Sequence, residues 1–144
     1  MLLTHKPKVD IINNDKFNKF SEGIFLASRT DDCLSFMRLV LGIYILKILQ
    51  QEPAHGNKLA EEIRQRTQNA YTPNTNALYP LLRRMEEKGY IVGEWDSPVR
   101  RNKRIYTITA AGLGRIPALE TMLAERLKHL EWKISVLRED LLPH

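Results

Sequence analysis

The chain has 144 residues, 43% of them apolar and 27% charged, and a formal net charge of +5. This length suits one compact domain with an added arm or helix and excludes two full domains, and the patterning of the apolar residues excludes wholesale disorder. A single cysteine, Cys33, cannot close an internal disulfide and is expected to be a small half-buried residue; no Cys/His cluster has zinc spacing.

The charge is unevenly distributed. Residues 1–33 carry five basic and five acidic side chains, and residues 110–144 again carry five and five. Residues 34–109 carry twelve against seven, so the whole excess lies there, as expected of a module that binds a polyanion. Met1-Leu2-Leu3 runs at once into His5, Lys6 and Lys8, so no signal-peptide core forms. Residues 34–49 are apolar but contain Arg38 and Lys47, which reads as a buried helix rather than a membrane span. A soluble cytoplasmic protein without membrane contact is expected.

In chain order, residues 1–33 read as an arm. Phe17, Phe20, Ile24 and Phe25 recur near helical spacing, giving a short amphipathic helix from about Asp15 to Ala27. Asp31 and Asp32 can cap a second helix running to about Gln51, apolar nearly all round and therefore buried on several sides, with Gly42 placed for close approach of a neighbour. Pro53-Ala54-His55-Gly56 breaks it. A short helix follows over about residues 57–67, then a polar loop through Thr72-Pro73-Asn74.

The next helix runs from about Thr75 to Lys88 and stops at Gly89. Leu78, Leu81, Leu82 and Met85 form its core stripe; Asn76, Tyr79, Pro80, Arg83 and Glu87 fall on the other side, with Pro80 in or near the first turn. Residues 90–95 and 104–108 read as two strands joined by the turn Asp96-Ser97-Pro98. The hairpin tip gathers Arg100, Arg101, Lys103 and Arg104. Thr109 caps a last helix to about Leu141, in which Pro117 produces a kink or delays the regular start until about Ile116. From Ile116 the apolar positions Leu119, Leu123, Leu127, Leu130, Ile134, Leu137 and Leu141 recur at steps of three and four. A seam this long needs a second copy or another protein, unless it packs on the arm.

Helix, helix, turn, helix, hairpin is the order of a winged helix-turn-helix: a mainly α fold with a small β-hairpin and, here, a long C-terminal dimerisation helix. The expected division is an arm (1–33), a DNA-binding domain (34–109) and a dimerisation helix (110–144). In that geometry the third helix enters the major groove. Asn76 and Arg83 can hydrogen-bond base edges, Thr75 and Tyr79 offer hydroxyls to phosphates, and the four tip cations suit backbone phosphates or a minor groove. Each element alone is more often solvated surface; together they fall in the order one architecture requires.

The region from about Leu41 to Gly112 resembles PadR-type transcription regulators. The resemblance rests on Pro53-Ala54-His55-Gly56 with Leu59-Ala60, on the run from Ala77-Leu78-Tyr79-Pro80-Leu81-Leu82-Arg83-Arg84 to Gly89-Tyr90-Ile91, and on Arg104-Ile105-Tyr106-Thr107-Ile108-Thr109 leading to Gly112. It implies a homodimer joined by C-terminal helices that binds inverted repeats in double-stranded DNA and usually represses transcription, with Thr75, Asn76, Tyr79, Pro80 and Arg83 at the DNA surface. Two features depart from the family pattern: Asn57 follows His-Gly where an aromatic is common, and Ser97-Pro98-Val99-Arg100-Arg101-Asn102 replaces the usual wing approach.

No enzyme motif, metal-ligand spacing or cofactor loop is present: His5, His55, His129 and His144 are scattered, and Gly112-Leu113-Gly114 lacks a third glycine. No catalytic activity and no cofactor are expected. His55 reads as a turn or helix-start residue. Trp95 and Trp132 read as packing residues, with contact to a small-molecule effector as the alternative. A protein-interaction adaptor on the same scaffold, without DNA binding, is the competing functional reading.

Overall fold

The computed structural model describes residues 25–144, with side chains described from Phe36 onward. The chain divides into two units, Met1–Met37 and Arg38–His144, and the fold below is that of the second. The arm helix expected from Asp15 lies, as far as Ile24, outside the described residues, as do the surroundings of Cys33. The elements are α1 (Phe25–Gln51), β1 (Ala54–His55), α2 (Gly56–Arg66), α3 (Thr75–Glu87), β2 (Ile91–Trp95), β3 (Arg104–Ile108) and α4 (Ala110–Leu141). This is a winged-helix fold followed by a long C-terminal helix. None of the described helices is long and apolar enough to cross a membrane.

Helix α1 begins six residues before Asp31, so the start expected at Asp31 and Asp32 falls inside it. Its second half supplies the centre of the core. Leu41, Ile45, Leu46, Ile48 and Leu49 are buried together with Leu59 and Ile63 of α2, Leu78, Leu82 and Met85 of α3, and Ile91, Tyr106 and Ile116. Each large side chain so buried contributes roughly 1.5–3 kcal/mol to holding the helices together. Gly42 is buried, and a Cβ there would meet no described atom within 4 Å.

Two helix ends show why the chain turns where it does. Helix α3 ends in a Schellman motif: Gly89, at φ +79°, donates its N–H to the Glu86 carbonyl, and Tyr90 donates to the Met85 carbonyl. Helix α2 ends in the same pattern without glycine. Gln68 and Asn69, at φ 55° and 65°, donate to the carbonyls of Gln65 and Arg64. The Arg64 guanidinium also donates to the Asn69 side chain, which holds this turn between α2 and α3.

The sheet has three strands in the order β1-β3-β2, all antiparallel. Sequence reading assigned the segment 53–56 only as a helix break. In the structure Ala54 pairs with Tyr106 and His55 with Ile105, so the break also supplies a third strand to the wing sheet. Helix α4 then starts at once. Thr109 donates its hydroxyl to the Gly89 carbonyl at 2.6 Å and accepts the Gly112 N–H at 3.1 Å as N-cap. Gly112 lies so close to the Tyr90 carbonyl and the Ile108 side chain that a Cβ could not be accommodated without movement. The helix runs unbroken from Ala110 through Pro117, so Pro117 does not delay its start.

Candidate nucleic-acid interface

Helix α3 is set by its cap and its two faces. Asn74 takes the N-cap position, its side chain accepting the Ala77 N–H at 2.9 Å. Leu78, Leu82 and Met85 are buried and Leu81 packs partly against them, while Thr75, Asn76, Tyr79, Pro80 and Arg83 are all exposed. The sequence-derived faces therefore coincide with those of the structure. Pro80 sits further in than expected. With Asn74 as cap it is the sixth helical residue, in the second turn, and the N–H it lacks would have bonded the carbonyl of exposed Asn76, which water can reach.

Tyr79 is less free than the other outward residues. A Cβ on Gly56 would lie 2.7 Å from its hydroxyl and 2.9 Å from its ring, so the ring lies across the first residue of α2. His55 completes that junction as N-cap of α2, its Nδ1 accepting the Lys58 N–H at 3.2 Å. The His-Gly pair thus caps one helix and admits the aromatic side chain of the next.

The wing tip is held by its own backbone. Asp96 donates its N–H to the Lys103 carbonyl at 2.8 Å and accepts the Lys103 N–H on Oδ1 at 3.2 Å. Arg101, at φ 48°, donates to the Ser97 carbonyl. Beyond this closure Arg100, Arg101 and Lys103 are exposed, and Val99 projects at 90% exposure.

Arg104 is placed differently from these three. Side chains alternate along β3, so Arg104 shares the inward face with buried Tyr106. Its guanidinium donates to Glu86 at 2.6 Å and lies 5.5 Å from the Trp95 ring. Burial pushes the nearby Tyr106 hydroxyl above its ordinary range. The tip reading grouped Arg104 with its neighbours in sequence; the two-residue period of the strand separates it from them.

The pairing of charges concentrates free cations here. Lys47, Lys58, Arg64, Arg66 and Arg104 form ion pairs with Glu120, Glu52, Glu61, Glu62 and Glu86. Arg83, Arg84, Arg100, Arg101 and Lys103 have no acidic partner among the described residues. Most of the middle-segment cations outside these ion pairs therefore lie on α3, at its C-cap Lys88 or at the wing tip, with Arg38 on α1 the exception.

Residues 45–118 match the model of the transcriptional regulator PadR-like family. The chain belongs to the PadR-like family of transcriptional regulators. Among its relatives, Transcriptional regulator Rv3488 of Mycobacterium tuberculosis is 30% identical over 96 residues, spanning 64% of this chain and 87% of that protein. The crystal structure of Thermoplasma acidophilum TA0346 is similar over 69% of this chain and 93% of its own, at 25% identity and a TM-score of 0.61. A PadR family regulator from Eggerthella lenta DSM 2243 is similar over 76% of this chain and 88% of its own, at 26% identity and a TM-score of 0.52.

In this PadR-like chain the C-terminal seam changes environment along its length. Ile116 is buried in the core, Leu119 packs partly against it and Leu123 is half-buried. Leu127, Leu130, Ile134, Leu137 and Leu141 are exposed, the last at 68%. Trp132 and Val136 are exposed as well, and the Trp132 ring stacks on His129 at 5.8 Å. A groove of about 550 Å³ lies between the end of α1 and the start of α4, lined by Lys47, Gln50, Gln51, Arg66, Leu113, Ile116, Pro117 and Glu120. Neither Trp95 nor Trp132 borders it. Three residues escaped the sequence reading of the site: Gly56, Glu86 and Gly93. Only Gly56 left a local sign, in the His-Gly pair.

Proposed function

We propose that this PadR-like protein is a sequence-specific DNA-binding repressor acting as a homodimer on an inverted-repeat operator. Residues 34–109 form the reading module and residues 110–144 the dimerisation helix. Helix α3 enters the major groove, with Asn76 and Arg83 at base edges and Thr75, Tyr79 and Pro80 against the backbone. Arg100, Arg101 and Lys103 meet phosphates beside it. The observation that carries this reading is that α3 exposes a polar and basic face while the wing tip exposes cations without acidic partners among the described residues. Arg104 contributes through its contact with Glu86 rather than by facing the duplex.

Dimerisation is supported by the exposed row from Leu127 to Leu141, which a second copy would cover helix against helix. A two-fold pair of modules reads a two-fold symmetric site. An adaptor that binds another protein would also cover the seam, but it leaves the unpaired cations of α3 and the wing without a role. Sedimentation velocity of the purified chain, alone and with duplex DNA at low ionic strength, tests both parts. The reading requires a dimer and a salt-sensitive complex; a monomer that ignores duplex removes it.

A further inference from the structure

We propose that Glu86 clamps the wing onto helix α3, and that this positioning residue sets where the tip cations meet phosphate; the proposal rests on the DNA-binding reading above. The wing needs such a link. Strand β1 pairs with β3 only at Tyr106 and Ile105, so it supports the middle of β3 and lends no strand partner to β2. Strand β2 has β3 as its one strand neighbour, and a ribbon of two strands holds its direction poorly by itself.

One carboxylate oxygen ties both strands of that ribbon to the last turn of α3. Glu86 Oε2 accepts the Arg104 guanidinium of β3 at 2.6 Å and the Gly93 N–H of β2 at 3.2 Å. Strand β2 is an edge strand, so the Gly93 amide has an outside partner to find. Glycine at 93 is part of the device. A Cβ there would lie 2.5 Å from Arg104 Nε and 3.0 Å from Cζ, so the guanidinium can cross the strand only because that position is bare. The Trp95 ring borders the guanidinium at 5.5 Å. With side chains 31% and 29% exposed, this is the least exposed of the five ion pairs named above, and it is screened correspondingly little.

Simple electrostatics predicts the opposite sign to a clamp. Deleting a negative charge beside a surface that meets a polyanion, and releasing Arg104, raises affinity if only charge matters. A clamp predicts a loss, because the tip cations remain but no longer sit at phosphate spacing.

The test uses the full chain and a labelled duplex of about 20 base pairs of arbitrary sequence, titrated across a salt series. Glu86→Gln is expected to weaken binding on the order of tenfold near 0.1 M salt and to lower the salt slope by about two. Arg100→Ala with Arg101→Ala costs little further in that background. The charge-reversed pair Glu86→Arg with Arg104→Glu keeps the net charge and the ion pair but offers the Gly93 N–H no acceptor, so it recovers part of the affinity lost in Glu86→Gln. A DNA-free readout accompanies these: in Trp132→Phe, where Trp95 is the sole tryptophan, Glu86→Gln red-shifts its emission and increases quenching by acrylamide. Binding by Glu86→Gln equal to or tighter than that of the parent, or unchanged Trp95 fluorescence, overturns the clamp alone. A parent protein that ignores the duplex overturns the DNA-binding reading itself.

Discussion

The two halves of helix α4 are built from the same kinds of residue and live in opposite surroundings. In the first half Gly112 and Ile116 are buried against the winged module, and Leu119 packs beside them. In the second, Leu130, Ile134, Leu137 and Leu141 stand open to solvent at 37–68% exposure. The first half is explained by this chain. Its burial fixes where the helix leaves the sheet, and the close passage of Gly112 over Tyr90 fixes its angle of departure. The second half adds nothing to the buried core of the winged module, and the proposed second copy is what would cover it. Helix α3 divides in the same way across its width, with Leu78 and Leu82 closed off and Asn76 and Arg83 open. Closed surfaces specify the monomer; open ones specify what it meets.

Substitutions can separate these two kinds of surface. The largest expected effect is on the open seam. Leu130→Asp with Leu137→Asp places two charges in the proposed dimer interface and should cost association at least 3–4 kcal/mol, roughly a hundredfold or more, while circular dichroism shows an intact helical fold. Sedimentation equilibrium measures it, and a variant that unfolds instead would erase the contrast between the halves. Next comes the closed half. Ile116→Ala should lower folding stability by about 2–4 kcal/mol in urea denaturation, with the loss independent of protein concentration. Gly112→Ala should destabilise by about 2–3 kcal/mol, since its Cβ meets backbone that cannot simply rotate away. Arg83→Ala tests the open face of α3. It should leave the melting temperature unchanged and cost about 1–3 kcal/mol of operator affinity, with little loss on unrelated duplex. The smallest effect belongs to a cap: Asn74→Ala removes the acceptor for the Ala77 N–H and should cost about 1 kcal/mol of stability.

Much of this division can be read from the sequence, because periodicity reports burial directly. The three-to-four spacing of Leu78, Leu82 and Met85 places the core stripe of α3 and so exposes Asn76 and Arg83 by subtraction. Gly89 and Thr109 mark a helix end and a helix start through conformational and capping preferences that act within a few residues. What stayed hidden depends on residues distant in the chain. Two residues, Ala54 and His55, are too few to show a strand period, and only their pairing with Ile105 and Tyr106 makes them one. Tyr79 looks like a free outward aromatic until Gly56 is brought beneath it. Glu86 is one of two adjacent carboxylates on α3 until the hairpin folds back and offers it two donors. Arg104 could have been placed by alternation with Tyr106, but a run of basic residues is the more conspicuous pattern.

Genome-wide mapping of the tagged protein's binding sites tests the central claim most directly, because it reads the α3 contacts and the pairing of two copies together. The account predicts an enriched motif with two-fold symmetry, its half-sites about one helical turn, roughly 10 base pairs, or a multiple of it apart. Sites without any shared symmetric motif, or no enrichment over bulk DNA, would contradict it.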